Sequence, residues 1–363
     1  MASNSTAAVK TTAVKTTAAT AAIRHVAAVE PAAAEGLTAE LYQQAKFELG
    51  VIGSPITMLS PAPELHAPLW SLLRESLLVG GPAERTAKEV VATTIAVKNR
   101  CTFCTDAHSM MLHAAGEHDL AEGLRIGEPP PEWAELAAWA VDPRADGPFP
   151  AEAAPRFIGT ALVFEIVTRL VKVLAANASP HPVTATKLGR TVASRRVRDA
   201  VAAELDPGLS LPLLAGRPEW LEELWPTLDP TIPAWAGDSP VGLAWAQLRA
   251  VAACGRGALS DQAANAVEDA IEASLRRSGT RPGPVSLAGI DALPEREALG
   301  ARLAAAAALD PASVTDADVS AWRSGEVDDH DTVFMFTYAV AHLADGIQNQ
   351  LHSQLHKEGT THA

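Results

Sequence analysis

No stretch of this chain alternates apolar and polar residues as a half-buried strand must. Its apolar residues instead recur at three- and four-residue spacings inside alanine-rich segments that end at Gly or Pro. Alanine is the best helix former, and aromatic residues make up only 5% of the chain, so the sequence predicts an all-α fold. A hydrophobic content of 48% over 363 residues is enough for sizeable cores, and at roughly 150 residues per domain two units are expected.

The segment LTAELYQQAKFELG reads as a helix closed by Gly50. SPITMLSPAPELHAP reads as a Pro-broken connection, followed by a helix over PLWSLLRESLLVGG. GPAERTAKEVVATTIAVKNR is a further helix with Pro82 near its start, where a missing N–H costs least. CTFCTDAHSMMLHAAG then runs to Gly116. Residues 1–30 read as a disordered tail, and 179–218 as a linker with one short helix at SRRVRDAVAAEL.

The two halves echo each other. Trp70, Leu73 and Arg74 match the spacing of Trp245, Leu248 and Arg249. LAAWAVDP resembles AAAAALDP, and FIGTALVFEIVTRLVKVL resembles TVFMFTYAVAHLADGIQNQL, in the same order. Two tandem degenerate repeats are therefore expected, 31–178 and 219–363. Carried along, the alignment sets Asn265 against Glu89, Arg277 and Thr280 against Cys101 and Cys104, and Pro284 against His108. The second repeat then lacks reactive groups and serves as scaffold. Trp70 and Trp245 read as packing anchors, Met110 and Met111 as core filler, and Cys254, opposite Val79, as a packed small residue.

A formal charge of -14 repels phosphate backbones, so nucleic acid is not an expected partner. The best basic cluster, Arg195, Arg196 and Arg198, reads as a solvated helix face. No apolar stretch is long enough to span a bilayer, and the Ala- and Thr-rich N-terminus lacks the compact apolar core of a secretory signal. Three cysteines do not make a secreted disulfide framework. A cytoplasmic protein without membrane association is expected.

In such a protein a close cysteine pair points to redox or metal chemistry. Cys101 and Cys104 are one helical turn apart, so both sulfurs share a face, and His108 follows one turn later. Asn99 is expected to cap this helix, which puts the thiols in its first turn, where the dipole favours thiolate. Along one straight helix Glu89 would lie about 18 Å from Cys101, out of reach. A reversal at Asn99-Arg100 into an antiparallel hairpin would instead bring Glu89 level with His108, as a general-base relay requires. Other readings stand beside this one. The cysteines could be two buried small hydrophobes, or zinc ligands with His108 and either His113 or His118, although no second cysteine pair completes a structural zinc site. His113 and His118 otherwise read as surface residues.

The order Glu89, eleven residues, Cys101-x-x-Cys104, three residues, His108 resembles the core motif of the alkylhydroperoxidase D family, in the carboxymuconolactone decarboxylase superfamily. Arg100 before the first Cys, Phe103 before the second and Asp106-Ala107-His108 resemble the peroxidase-related branch. The stretch from Asp310 to Leu351 is similar to that family's C-terminal helices, so the resemblance extends over most of the chain. It implies a thiol-dependent peroxidase acting on organic hydroperoxides. Cys104 would attack the peroxide, Cys101 would resolve the sulfenic acid as a disulfide, and His108 and Glu89 would relay the proton. It also implies a dithiol reductant, such as a lipoylated protein, a homo-oligomer, and neither cofactor nor metal. Some members carry a His between the two cysteines where this chain has Phe103. The superfamily's decarboxylases do not depend on a Cys-x-x-Cys. The alternative from another class is a non-catalytic redox-sensing or interaction protein that keeps the fold.

Overall fold

The computed structural model describes residue 20 and residues 22–143, 147–175, 186–278, 287–324 and 327–358. Among the described residues there is no β-strand, only an isolated bridge between Gly80 and Leu205, and the fold is all-α. The principal helices are α1 (Gly36–Leu49), α2 (Pro63–Leu73), α3 (Pro82–Lys98), α4 (Thr102–Ala115), α5 (His118–Arg125), α6 (Ala134–Val141) and α7 (Ala154–Leu174). They continue with α8 (Lys187–Ser194), α9 (Arg198–Ala202), α10 (Pro240–Ala253), α11 (Asp261–Ser278), α12 (Glu295–Leu309) and α13 (Asp329–Glu358).

α3 is the hub of the first half. It packs on α4, α6 and α7. Its buried face, Val90, Val91, Ala92, Ile95 and Ala96, is almost entirely shut off from water. In the second half α11 packs on α12 and α13. The halves meet where α2 lies on α10 and α7 on α13. Trp70 and Trp245 are both buried, and each indole N–H is satisfied, Trp70 by Gln44 at 2.7 Å and Trp245 by Gln348 at 2.6 Å. Cys254 is half-buried, and burial pushes its thiol up to about 11.

Several elements differ from the sequence reading. The connection after Gly50 is partly helical: Ser54–Thr57 forms one turn, and Pro63, at a first helical position, starts α2 early. α2 then widens into a π-helical stretch, Arg74–Leu78. Of the expected tail, residues 1–19 and 21 lie outside the described residues; within 22–30, Arg24 donates to the carbonyls of Lys172 and Val173 at the end of α7. Of the expected linker 179–218, residues 186–218 are described and hold α8 and α9. α8 and α9 pack on α4, with Val197 and Val201 beside Met111 and Ala114. Arg195, Arg196 and Arg198 are exposed, as a solvated face should be. Thr280 and Pro284 lie outside the described residues.

Candidate active site

The site begins at the end of α3. Cys101 N–H donates to Ala96 O at 2.9 Å, and Arg100 N–H to Val97 O at 3.0 Å. This pair of bonds is a Schellman closure, whose pivot residue must be left-handed. Glycine is the usual occupant, but here it is Arg100, at φ 55°. The pivot folds α4 back along α3. Cys101 is therefore both the last residue of one closure and the N-cap of the next helix, its Sγ accepting from Cys104 N–H at 3.3 Å. Asn99 does not cap α4. The reversal leaves it on the outgoing end of α3, and its side-chain amide donates to Glu165 at 3.0 Å and Thr168 at 2.9 Å.

Cys101 and Cys104 are joined by a disulfide, and the two residues are 2% and 3% exposed, so only a small reactant reaches the sulfurs without local opening. One turn on, His108 is half-buried, with its ring edge-on to Phe164 of α7 at 4.6 Å. Its Nδ1 lies 2.7 Å from Glu89 Oε2. An ionised carboxylate can only accept, so the geometry assigns the Nδ1–H tautomer and leaves Nε2 as the free nitrogen. Glu89 is buried, and its other oxygen accepts from Arg85 Nε at 2.8 Å. Burial alone would raise the Glu89 carboxyl, but the charges of His108 and Arg85 outweigh it and hold the carboxyl below its ordinary range.

Behind the reversal lies a buried polar cluster that the sequence reading missed. Glu165 of α7 takes Lys98, Asn99 and Arg169 together, while Lys172 Nζ donates to Asn99 O at 3.1 Å and Arg169 Nε to Ala308 O at 2.8 Å. Burial would raise Glu165, but Lys98 and Arg169 override it and hold the carboxyl down at about 2. This cluster fixes the end of α3, and through it the pivot before Cys101. Its signal was present: Glu165 and Arg169 stand four residues apart in a largely apolar helix. A second fixed point lies at the start of α3, where Lys88 pairs with Glu84 at 3.1 Å and donates to Val79 O.

His113 is not a surface residue. It is buried, with Nδ1 2.8 Å from His118 Nδ1 and Nε2 2.9 Å from Glu122, which Arg190 of α8 also holds. His113 lies nine residues past Cys104, roughly 13 Å along α4, so it cannot share a metal with the cysteines. Among the described residues, Asp328, His330 and Asp331 bring potential ligand atoms within 4.8 Å of one another. They sit at the start of α13, where Asp328 accepts from Asp331 N–H at 2.8 Å and His330 meets Glu64. Asn265, the position aligned with Glu89, accepts from Arg256 at 2.7 Å and borders a groove with Ala266, Asp269 and Ile290.

The chain is 36% identical over 233 residues to a protein named alkyl hydroperoxide reductase from Mycobacterium tuberculosis. The match takes in 62% of this chain and 64% of that protein, so the chain spans a little under two thirds of the relative's length. No family model matches the chain, and no solved structure matches it.

Proposed function

We propose that the chain is a peroxidase of the alkylhydroperoxidase D type, reducing organic hydroperoxides through Cys101 and Cys104. The observation that carries this reading is the contact between Glu89 of α3 and His108 of α4, the helix that Cys101 caps and whose first turn holds Cys104. The name of its curated relative points the same way. In the reduced protein, His108 Nε2 takes the proton of the Cys104 thiol while Glu89 stabilises the imidazolium. The thiolate attacks the terminal oxygen of ROOH and the O–O bond breaks. The alkoxide leaves as ROH with the proton from His108, and Cys104 becomes a sulfenic acid. The Cys101 sulfur then displaces hydroxide, which leaves as water with the thiol's proton, and the disulfide forms. A dithiol reductant, such as a lipoylated protein, returns two electrons and two protons. No helix among the described residues is long and apolar enough to cross a membrane.

The test is anaerobic, with protein reduced beforehand and one equivalent of cumene hydroperoxide. The expected result is one alcohol formed per two thiols lost, with a Cys101–Cys104 disulfide in non-reducing peptide mass spectrometry. Disulfide formation by a general oxidant, with hydroperoxide left unconsumed, would favour the redox-sensing alternative.

A further inference from the structure

We propose that Arg85 is a positioning residue of this site, engaging one oxygen of the Glu89 carboxylate so that the other is left to His108 alone. The inference rests on the peroxidase reading of the Glu89–His108 pair, and it is carried by three observations. Arg85 lies one turn before Glu89 on α3, so the two side chains stack on one face. The contact is short and direct, Nε to Oε1 at 2.8 Å, while Oε2 meets His108 Nδ1 at 2.7 Å, so the two oxygens are divided between two donors. Both residues are buried, Arg85 at 3% and Glu89 at 1% exposure, which makes the guanidinium expensive to place there for any lesser purpose.

Other charged groups near the pair are engaged elsewhere. Lys88 turns to Glu84 and Val79 O. Asp106 of α4 is held by Arg125 of α5 at 2.7 Å. On α7 Glu165 is closed by Lys98 and Arg169, and the neighbour facing His108 is the apolar ring of Phe164. Arg85 is thus the fixed cation in contact with the pair.

The consequence has a definite sign. The working state has Glu89 ionised and His108 neutral, which is one buried negative charge. Arg85 balances it. Without Arg85 that state is uncompensated, and the pair keeps its last proton to higher pH. The acid limb of any step that needs His108 as a base then moves up.

The experiment titrates the folded, disulfide-bonded protein by ¹⁵N NMR of His108, and separately follows single-turnover reduction of cumene hydroperoxide by the reduced protein against pH. In Arg85→Gln the midpoint at which the pair loses its proton rises by about one pH unit or more, and the acid limb of the reaction follows it. Arg85→Lys, which restores the charge, returns both toward wild type. An unmoved midpoint in folded Arg85→Gln overturns the proposal. Should that variant not fold, the wild type decides by ¹³C NMR of the Glu89 carboxyl: ionised down through about pH 5 supports the proposal, and protonation above about pH 6 overturns it. A wild type that reduces no hydroperoxide overturns the peroxidase reading instead. Turnover with a titration indifferent to Arg85 overturns the role of Arg85 alone.

Discussion

Glu89 Oε2 and His108 Nδ1 lie 2.7 Å apart, although nineteen residues separate them in the chain, because the Arg100 pivot lays α4 antiparallel along α3. The contact predicts the effect of Glu89→Gln. The amide still reaches His108 but carries no charge to stabilise an imidazolium. Peroxide reduction by the reduced protein is expected to slow by about a hundredfold, in line with the loss of a proton-transfer partner. Single-turnover kinetics check this, and an unchanged rate would mean that His108 works without the carboxylate.

The two thiols are expected to differ. On the proposed mechanism, Cys104→Ser should abolish reaction with hydroperoxide, since it removes the sulfur assigned to the attack. Cys101→Ser should still form one sulfenic acid per chain, trapped by dimedone, and then stop because no sulfur resolves it. Equal loss of the first oxidation step in both variants would reverse or erase the assignment of Cys104 as the attacking thiol.

Glu165 predicts a pH dependence of stability. Its folded carboxyl titrates at about 2, well below the ordinary range near 4.5. A depressed folded value contributes stability that is present above the unfolded value and lost as pH falls through the folded one. The melting temperature should therefore decline as pH falls from about 4.5 towards 2. Glu165→Ala should remove this part of the slope and cost about 3–5 kcal/mol near neutrality, because Lys98 and Arg169 are left buried without their partner. Thermal melts of both proteins across that range are the measurement.

The pivot predicts a change in the opposite direction. Arg100 is exposed and holds φ 55°, a left-handed conformation that costs a residue with a Cβ roughly 1–2 kcal/mol. Arg100→Gly should remove that cost, partly offset by the greater conformational entropy of the unfolded chain, for a net gain of up to about 1 kcal/mol. Arg100→Val should destabilise by more than 1 kcal/mol, since a branched Cβ fits that conformation worst. Urea titrations that rank valine above arginine would show that the pivot is not a source of strain.

Much of this was legible beforehand, and the divide between read and unread features is physical. The all-α class follows from local propensity and period, which a sequence displays directly. The hairpin follows from arithmetic, since Glu89 and His108 are almost equidistant from Asn99 and meet only if the chain turns there. What the sequence hides is pairing at long range. Asn99 resembles a cap for α4, and only the left-handed Arg100 hands it to α3 and on to Glu165. His113 looks like an exposed polar residue until α5 and α8 bring Glu122 and Arg190 against it. Likewise residues 22–30 have a tail's composition, yet Arg24 reaches the carbonyls that end α7.

The last prediction concerns the second half. α10 and α13 of this half pack on α2 and α7. On the proposed duplication, the second half takes the place of a partner subunit, and a unit kept only for this contact has no need of Glu, Cys or His. Trp245 is fully buried in this half, so Trp245→Ala should cost about 3–5 kcal/mol and loosen the cover over α2 without touching the cysteines. Deleting residues 219–363 should go further. Every Å² of apolar face uncovered on α2 and α7 loses about 25 cal/mol, and the exposed surface should drive aggregation or new self-association. Sedimentation velocity together with hydroperoxide turnover of the truncated chain decides the matter. A monomeric, soluble and fully active first half would mean that the second half is not its scaffold, and that the echo between Trp70 and Trp245 is a chance match between alanine-rich helices.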